Sequence, residues 1–256
     1  MMPKNEPGHG LADAREPLSR RELDRAWAEQ LATTGDTLST VELLGLIEEV
    51  FGSSAIIATS FGVEDVVLLH LAREHAPSHS AFMIDTGRLP PETFDVAEAV
   101  RRRLGIEIRI YTPERSAVEE MVSLQGLFSF RGSMEARHAC CAVRKLEPLG
   151  RALRDRRAWV TGMRREQSVT RTAVTRIEWD LANHLVKINP LAGWGRNDVW
   201  AHVREHNLPY NRLHDLGYPS IGCAPCTRAV RPYEDERAGR WWWESSDSRE
   251  CGLHRR

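Results

Sequence analysis

Four of the five cysteines in this 256-residue chain fall into two tight groups. Cys140 and Cys141 are adjacent in "HACCAVRK", and Cys223 and Cys226 bracket a proline-containing turn in "GCAPCT". A C-x-x-C on such a turn chelates zinc or the irons of an iron–sulfur centre, and it needs two more ligands, which the adjacent pair supplies. Neighbouring residues on a helix project about 100° apart. One ion is poorly served by that divergence, whereas a cluster takes neighbouring thiolates on different irons, so the pattern favours iron–sulfur over zinc. The alternatives are two buried thiols beside an unrelated turn, or a redox-active C-x-x-C with a depressed thiol pKa. Lys145 lies one helical turn beyond Cys141, and lysine stands otherwise only at positions 4 and 187. Lys145 and its neighbour Arg144 could offset the charge of four thiolates or bridge it to an anionic ligand; the plainer alternative is a solvated helix face.

The fifth thiol, Cys251, sits in "SRECGLHRR". Arg249, His254, Arg255 and Arg256 favour its thiolate form. A thiolate near a chain end can attack within a cleft and then meet a second partner. The competing reading is an idle thiol in a solubilising tail.

Three loops follow apolar runs and carry groups suited to a nucleotide. "SFGVED" (60–65) leads from a strand into a helix, with Ser60, Gly62 and Asp65 at a helix N-terminus that favours anions; it lacks the Gly-Lys-Ser/Thr ending of a Walker loop. "DTGRLPPETF" (85–94) offers Asp85, Thr86, Gly87 and Arg88, or is simply a capped turn. "GMRREQSVTR" (162–171) brings Gly162, Arg164, Arg165 and Arg171, and guanidinium groups bind phosphate or sulfate oxygens bidentately. A solvated arginine loop is the alternative.

These loops need a scaffold that gathers them. Short apolar runs at 55–59, 80–84, 106–112 and 157–162 read as strands. Segments 20–33, 39–51, 64–76, 91–105, 114–126 and 196–207 read as helices, Ser39 and Glu42 forming a capping box and Pro91 opening its helix. Residues 140–155 read as a helix interrupted near Pro148. This alternation implies an α/β fold, a mostly parallel sheet with helices on both faces and ligands at the carboxyl ends of the strands. Residues 1–20 are expected to be a disordered tail, 21–235 one α/β domain and 236–256 a mobile C-terminal segment. The run "WWW" at 241–243 reads as core packing. A net charge of −1 argues against nucleic acid as the main partner. No signal-peptide pattern or membrane-length apolar run occurs, so the cytoplasm is the expected compartment, where an odd cysteine count does not indicate a disulfide framework.

Together, "CCAVRK", "GCAPCT" and the terminal "ECGLH" resemble the thioredoxin-dependent assimilatory adenylyl-sulfate reductases. "SFGVEDVVLLHLA", "IDTGRLPPETF" and "TGMRREQS" extend the resemblance from about residue 40 to the end. It implies an adenine nucleotide alpha hydrolase-like, Rossmann-like fold and reduction of adenosine 5′-phosphosulfate to sulfite and AMP, a step of sulfate assimilation and cysteine biosynthesis. It further implies a [4Fe–4S] cluster on Cys140, Cys141, Cys223 and Cys226. Cys251 is then the nucleophile that forms a thiosulfonate, released as sulfite by thioredoxin or a glutaredoxin-like reductant. The resemblance makes Lys145 the link between cluster and substrate. It makes Arg237 and Arg240 in "DERAGRWWW" the grip on phosphate and sulfate. Ser60, Gly62, Asp65, the 85–88 loop, Gly162, Arg164, Arg165 and His254 complete the expected substrate set. One departure is Ser60-Phe61-Gly62, where many relatives place serine directly before the glycine; which group of this loop meets the phosphate stays open. So do the oligomeric state, a homo-oligomer included, and use of the 3′-phosphorylated substrate. A 3′-phosphoadenylyl-sulfate reductase shares the loops and terminal cysteine but typically lacks the cluster cysteines. A zinc-stabilised nucleotide- or RNA-binding module is the reading from another class.

Overall fold

Side chains along a strand alternate between the two faces of its sheet, and the apolar runs use both. The computed structural model describes residues 18–168 and 171–245. It contains β1 (Ala55–Ala58), β2 (Ser80–Ile84), β3 (Ile108–Tyr111), β4 (Ala158–Val160), β5 (Ile177–Asp180) and β6 (Leu185–Ile188). They form one sheet in the order β3-β2-β1-β4-β6-β5. Every pair is parallel except β5 with β6. Ile57, Met83, Val160 and Ile188 enter a large core on one face, while Ile56, Phe82, Trp159 and Leu185 enter a smaller one on the other.

The helices are α1 (Arg20–Thr34), α2 (Thr40–Phe51), α3 (Val63–His75), α4 (Pro91–Leu104), α5 (Arg115–Gln125), α6 (Met134–Cys141), α7 (Glu147–Leu153) and α8 (Arg196–Glu205). The larger core takes Leu43, Leu44 and Ile47 from α2, Val66 and Val67 from α3, Val96 and Val100 from α4, and Val199 from α8. The smaller one is covered by Leu149, Ala152 and Leu153 of α7. The sheet is thus sandwiched, as the β-α alternation implies. The Ser39–Glu42 capping box forms in both directions, at 3.1 and 2.7 Å, and Pro91 opens α4. No helix among the described residues is long and apolar enough to cross a membrane.

Three features differ from the sequence reading. β5 and β6 form an antiparallel hairpin that the polar residues of "IEWD" and "LVKI" conceal; there Lys187 is buried and reaches Glu178 at 3.0 Å. The helical break lies before Pro148, in a widened π turn over Ala142–Leu146. Proline has no N–H, and its ring crowds the carbonyl four residues earlier, that of Arg144, so the backbone expands there. Finally, part of the expected C-terminal segment is firmly packed: Arg237, Ala238, Arg240 and Trp241 are buried. Residues 1–17 of the expected tail, and 246–256, lie outside the described residues.

The sheet gains its N-terminal cover through a buried pair. Asp24 of α1 accepts from Arg157 Nη2 at 2.6 Å and Nε at 3.1 Å, and Arg157 Nη1 donates to the Val50 carbonyl at 3.0 Å. Removing the carboxylate leaves a half-buried guanidinium without its counter-charge. Asp24→Ala is expected to lower unfolding stability by roughly 2 kcal/mol, below the full cost of breaking an entirely buried pair. Urea denaturation checks this, and a change under about 0.5 kcal/mol, the range of a neutral surface substitution, contradicts it.

Candidate functional site

From β1 the chain runs outward through β2 to β3, then returns to the other side of β1 as β4. That reversal is a topological switch point, and a crevice opens where the adjoining loops part. A cleft is lined there by Ser60, Gly62, Glu64 and Asp65 after β1, Thr86 after β2, and Gly162, Gln167 and Arg171 after β4. Its far wall comes from Lys145 and from Cys223, Glu236, Arg237, Arg240 and Trp241.

The loop after β1 makes a tight turn on a non-glycine residue. Phe61 has φ 56°, a left-handed conformation that is costly for a bulky residue, yet its ring is buried. Burying the ring offsets the strain and leaves Ser60 and Gly62 at the cleft. The sequence suggests an open anion site here, but the chain's own carboxylate occupies it. Asp65 Oδ2 accepts from Ser60 N at 2.6 Å and from Ser60 Oγ at 2.9 Å. Burial nonetheless pushes the Asp65 carboxyl up to about 6, with the Ser60 bonds opposing and the neighbouring Glu64 adding to the rise. Gly162 permits this packing: a Cβ there would meet Asp65 Oδ1 at 2.5 Å and the backbone of Glu64 and Asp65 at 3.2 Å.

The opposite wall is cationic and centred on an indole. Trp241 is 1% exposed and has φ 41°. Arg137 and Arg240 each stand 4.7 Å from its ring, Lys145 5.9 Å and Arg237 6.0 Å. Cation–π attraction favours this gathering. Arg137 also donates to Glu244 at 2.6 Å. Arg240 Nη1 donates to the Ile221 carbonyl at 3.2 Å and lies so close over Gly222 that any Cβ there would displace it. The Trp241 N–H donates to the Cys226 carbonyl at 3.2 Å, and Thr227 pairs with Arg240 across an isolated bridge. The arginine-tryptophan segment is thereby tied to the C-x-x-C turn.

The described cysteines act on one another at this wall: Cys223 on Cys140, and Cys223 and Cys141 on Cys226. Burial raises the Cys140 thiol, with Arg88 and Arg144 opposing and Cys223 adding to the rise. Burial pushes Cys226 up to about 12, helped by Cys223 and Cys141. At Cys223 burial also acts upward, but Lys145, the Thr86 hydroxyl 3.2 Å from its sulfur, Arg240 and Arg144 outweigh it and hold the thiol below its ordinary range. No three His, Cys, Asp or Glu side chains among the described residues converge on a point where one ion could bind them. The donor set is four soft thiols from two segments under a cationic collar. That chemistry fits an iron–sulfur cluster, whose ligands stand on separate irons.

Other expected residues are placed differently. Asp85 accepts from Gly87 N at 2.8 Å and shapes its own turn. Arg88 donates to the Leu127 carbonyl at 2.6 Å and lies over Phe130. Arg165 points away from the cleft, donating to Asp36 and to the Val174 carbonyl, each at 2.7 Å. Arg164 is buried against Glu64. Neither is among the residues that line the cleft, and carboxylates on neighbouring elements hold their charges. Cys251 and His254 lie outside the described residues. The sequence reading missed Glu64 and Glu236 and took Trp241 for core packing; no local pattern marks them, since their partners lie on other elements.

Residues 54–229 match the phosphoadenosine phosphosulfate reductase domain. The adenosine 5′-phosphosulfate reductase of Allochromatium vinosum is 52% identical over 231 residues, 89% of this chain and 90% of that protein. That of Agrobacterium fabrum is 47% identical over 225 residues, 87% and 86% of the two chains. The crystal structure of phosphoadenylyl-sulfate reductase from Candida auris, a phosphate complex, superposes with a TM-score of 0.68 at 28% identity, covering 84% of this chain and 99% of that one. Yeast FAD synthetase, 15% identical with a TM-score of 0.53 over 90% of this chain and 76% of its own, shares the fold alone.

The Asp65 environment has a measurable consequence. Held up to about 6, the Asp65 carboxyl lies well above the 3.8 of an ordinary aspartate. Between those values the folded state holds a proton that the unfolded state has lost, so stability falls as pH rises through this window. Asp65→Asn removes that titration. The stability of the variant relative to wild type is expected to grow from pH 5 to about 7 and then level, measured by denaturant unfolding; a constant difference across that range contradicts the assignment.

Proposed function

Because the chain belongs to the phosphoadenosine phosphosulfate reductase domain family, we propose that it reduces adenosine 5′-phosphosulfate to sulfite and AMP, with thioredoxin supplying the electrons. One observation carries this reading: Lys145 lines the cleft and is also the leading cation acting on the Cys223 thiol. A single charge thus serves both the crevice and the thiol group. The curated relatives named adenosine 5′-phosphosulfate reductase support the choice of nucleotide.

Arg171, Arg237, Arg240 and Lys145 line the cleft and are the groups suited to hold the phosphate and sulfate oxygens. Their charge stabilises the oxygen on which negative charge develops as AMP departs. Cys140, Cys141, Cys223 and Cys226 would hold a [4Fe–4S] cluster, whose irons would take up the thiolates' charge beside Lys145. The Cys251 thiolate attacks the sulfonyl sulfur. An S–S bond forms, the S–O bond to phosphate breaks, and AMP leaves with the electron pair. A thioredoxin thiolate then attacks the Cys251 sulfur and expels sulfite. The second thioredoxin thiol resolves the mixed disulfide, restoring Cys251 and leaving oxidised thioredoxin.

Cys251→Ser is expected to keep the visible absorption of the wild-type protein while sulfite release falls to background. Wild-type protein given sulfur-labelled nucleotide without thioredoxin is expected to carry the label on Cys251. Turnover by the serine variant, or label on another residue, contradicts the covalent step. In the same assay the 3′-phosphorylated nucleotide is expected to show the lower kcat/KM.

A further inference from the structure

Sequence pattern groups Arg164 with the residues that grip substrate, but its guanidinium faces inward and is 2% exposed. It donates to Glu64 Oε1 from Nε at 3.0 Å and from Nη2 at 2.9 Å. Its Nη1 reaches the Trp194 carbonyl at 3.4 Å, and Glu166 stands at 3.8 Å. The remaining contact runs to another part of the chain: Nη2 lies 3.5 Å from Glu236 Oε2. Glu236 is held from its other oxygen by Arg196 of α8 at 3.4 Å. Glu64 belongs to the first turn of α3, Arg164 to the loop after β4, and Glu236 immediately precedes Arg237 of the cationic wall.

The segment carrying Arg237, Arg240 and Trp241 therefore has two kinds of anchor. Its far end is fixed by backbone bonds to the cysteine turn, Arg228 N to the Gly239 carbonyl at 3.0 Å and Trp241 N to the Cys226 carbonyl at 3.2 Å. Its near end is fixed by charge. Between them the backbone is folded by Ala238 N to the Asp235 carbonyl and Arg240 N to the Arg237 carbonyl, each at 2.9 Å.

We propose that Arg164 is a positioning residue: it screens Glu64 from Glu236 and so latches the 236–241 segment, with its arginines, against the cleft. Both carboxylates meet the one guanidinium, Glu64 at 2.9 Å and Glu236 at 3.5 Å from Nη2. Burial pushes Glu236 up, Arg164 and Arg196 oppose it, and Glu64 adds to the rise. Without Arg164, Glu64 and Glu236 repel across a poorly solvated gap, and the near end of the segment lifts. Arg237 moves away from the cleft while the cysteine turn stays in place. The screening role makes a specific demand: the defect of losing Arg164 is relieved by removing the second carboxylate.

Hydrogen exchange on the holoenzyme tests the latch without reference to substrate. Arg164→Gln is expected to speed exchange in a peptide spanning 236–241 about tenfold, the size expected for local opening of a loosened segment. Glu236→Gln alone is expected to speed it less, and the double variant is expected to exchange more slowly than Arg164→Gln. No acceleration in Glu236→Gln, or a double variant as fast as Arg164→Gln or faster, overturns the proposal, and the Glu236→Gln arm holds even if Arg164→Gln fails to fold. The consequence for turnover rests on the reductase reading. Arg164→Gln is expected to raise the KM for adenosine 5′-phosphosulfate about tenfold with kcat within about twofold, and the added Glu236→Gln to recover part of it. A purely structural Arg164 gives instability with no such recovery. An unchanged KM beside quickened exchange overturns the positioning role. A wild-type protein that makes no sulfite sinks the reductase reading, while the exchange data still judge the latch.

Discussion

Cations crowded into a low-dielectric wall are the constraint around which the site is arranged. Arg137, Arg240, Lys145 and Arg237 surround one buried indole. Gathering them is unfavourable unless anions lie opposite, because each charge gives up much of its hydration. The indole face, Glu244 and the Cys223 sulfur meet part of that demand within the chain. On the proposed reading a metal-bound thiolate set and a doubly anionic nucleotide meet the rest. The same charge that stabilises the thiolates thus prepares the cleft for its ligand, and Lys145 lies where the two tasks overlap.

The cleft is polar along its length. Carboxylates gather at the start of α3, where Glu64 is paired with Arg164 and Asp65 is capped by Ser60. Cations gather at the opposite wall. The strained turn at Phe61 and the absent side chain at Gly162 belong to this arrangement, since both bring the start of α3 against the β4 loop.

Much of the scaffold is legible in the sequence because its signals are local. Apolar runs such as "AIIAT" and "SAFMI" state strands, and Ser39 with Glu42 states a helix start. The cysteine groups are legible because chelation imposes spacing. What escapes is decided by partners distant in sequence. β5 and β6 are hidden because Lys187 and Glu178 look like surface residues until they pair across the hairpin, and Asp180 until it caps the turn. Arg164 and Arg165 look like ligands for phosphate, and only folding shows that Glu64 and Asp36 claim them. Trp241 reads as core packing because nothing local announces four cations around its ring. The π turn is half legible: Pro148 signals a break, but the backbone yields on its N-terminal side, beside the cysteine pair.

The central claim is that the two cysteine segments share one cluster beneath the cationic wall. Iron and acid-labile sulfide analysis of protein purified without air tests this most directly. The account predicts about four of each per chain, the content of a [4Fe–4S] cluster, with both lost together when Cys223 is replaced by serine. Protein that contains stoichiometric zinc, or neither iron nor sulfide, contradicts it.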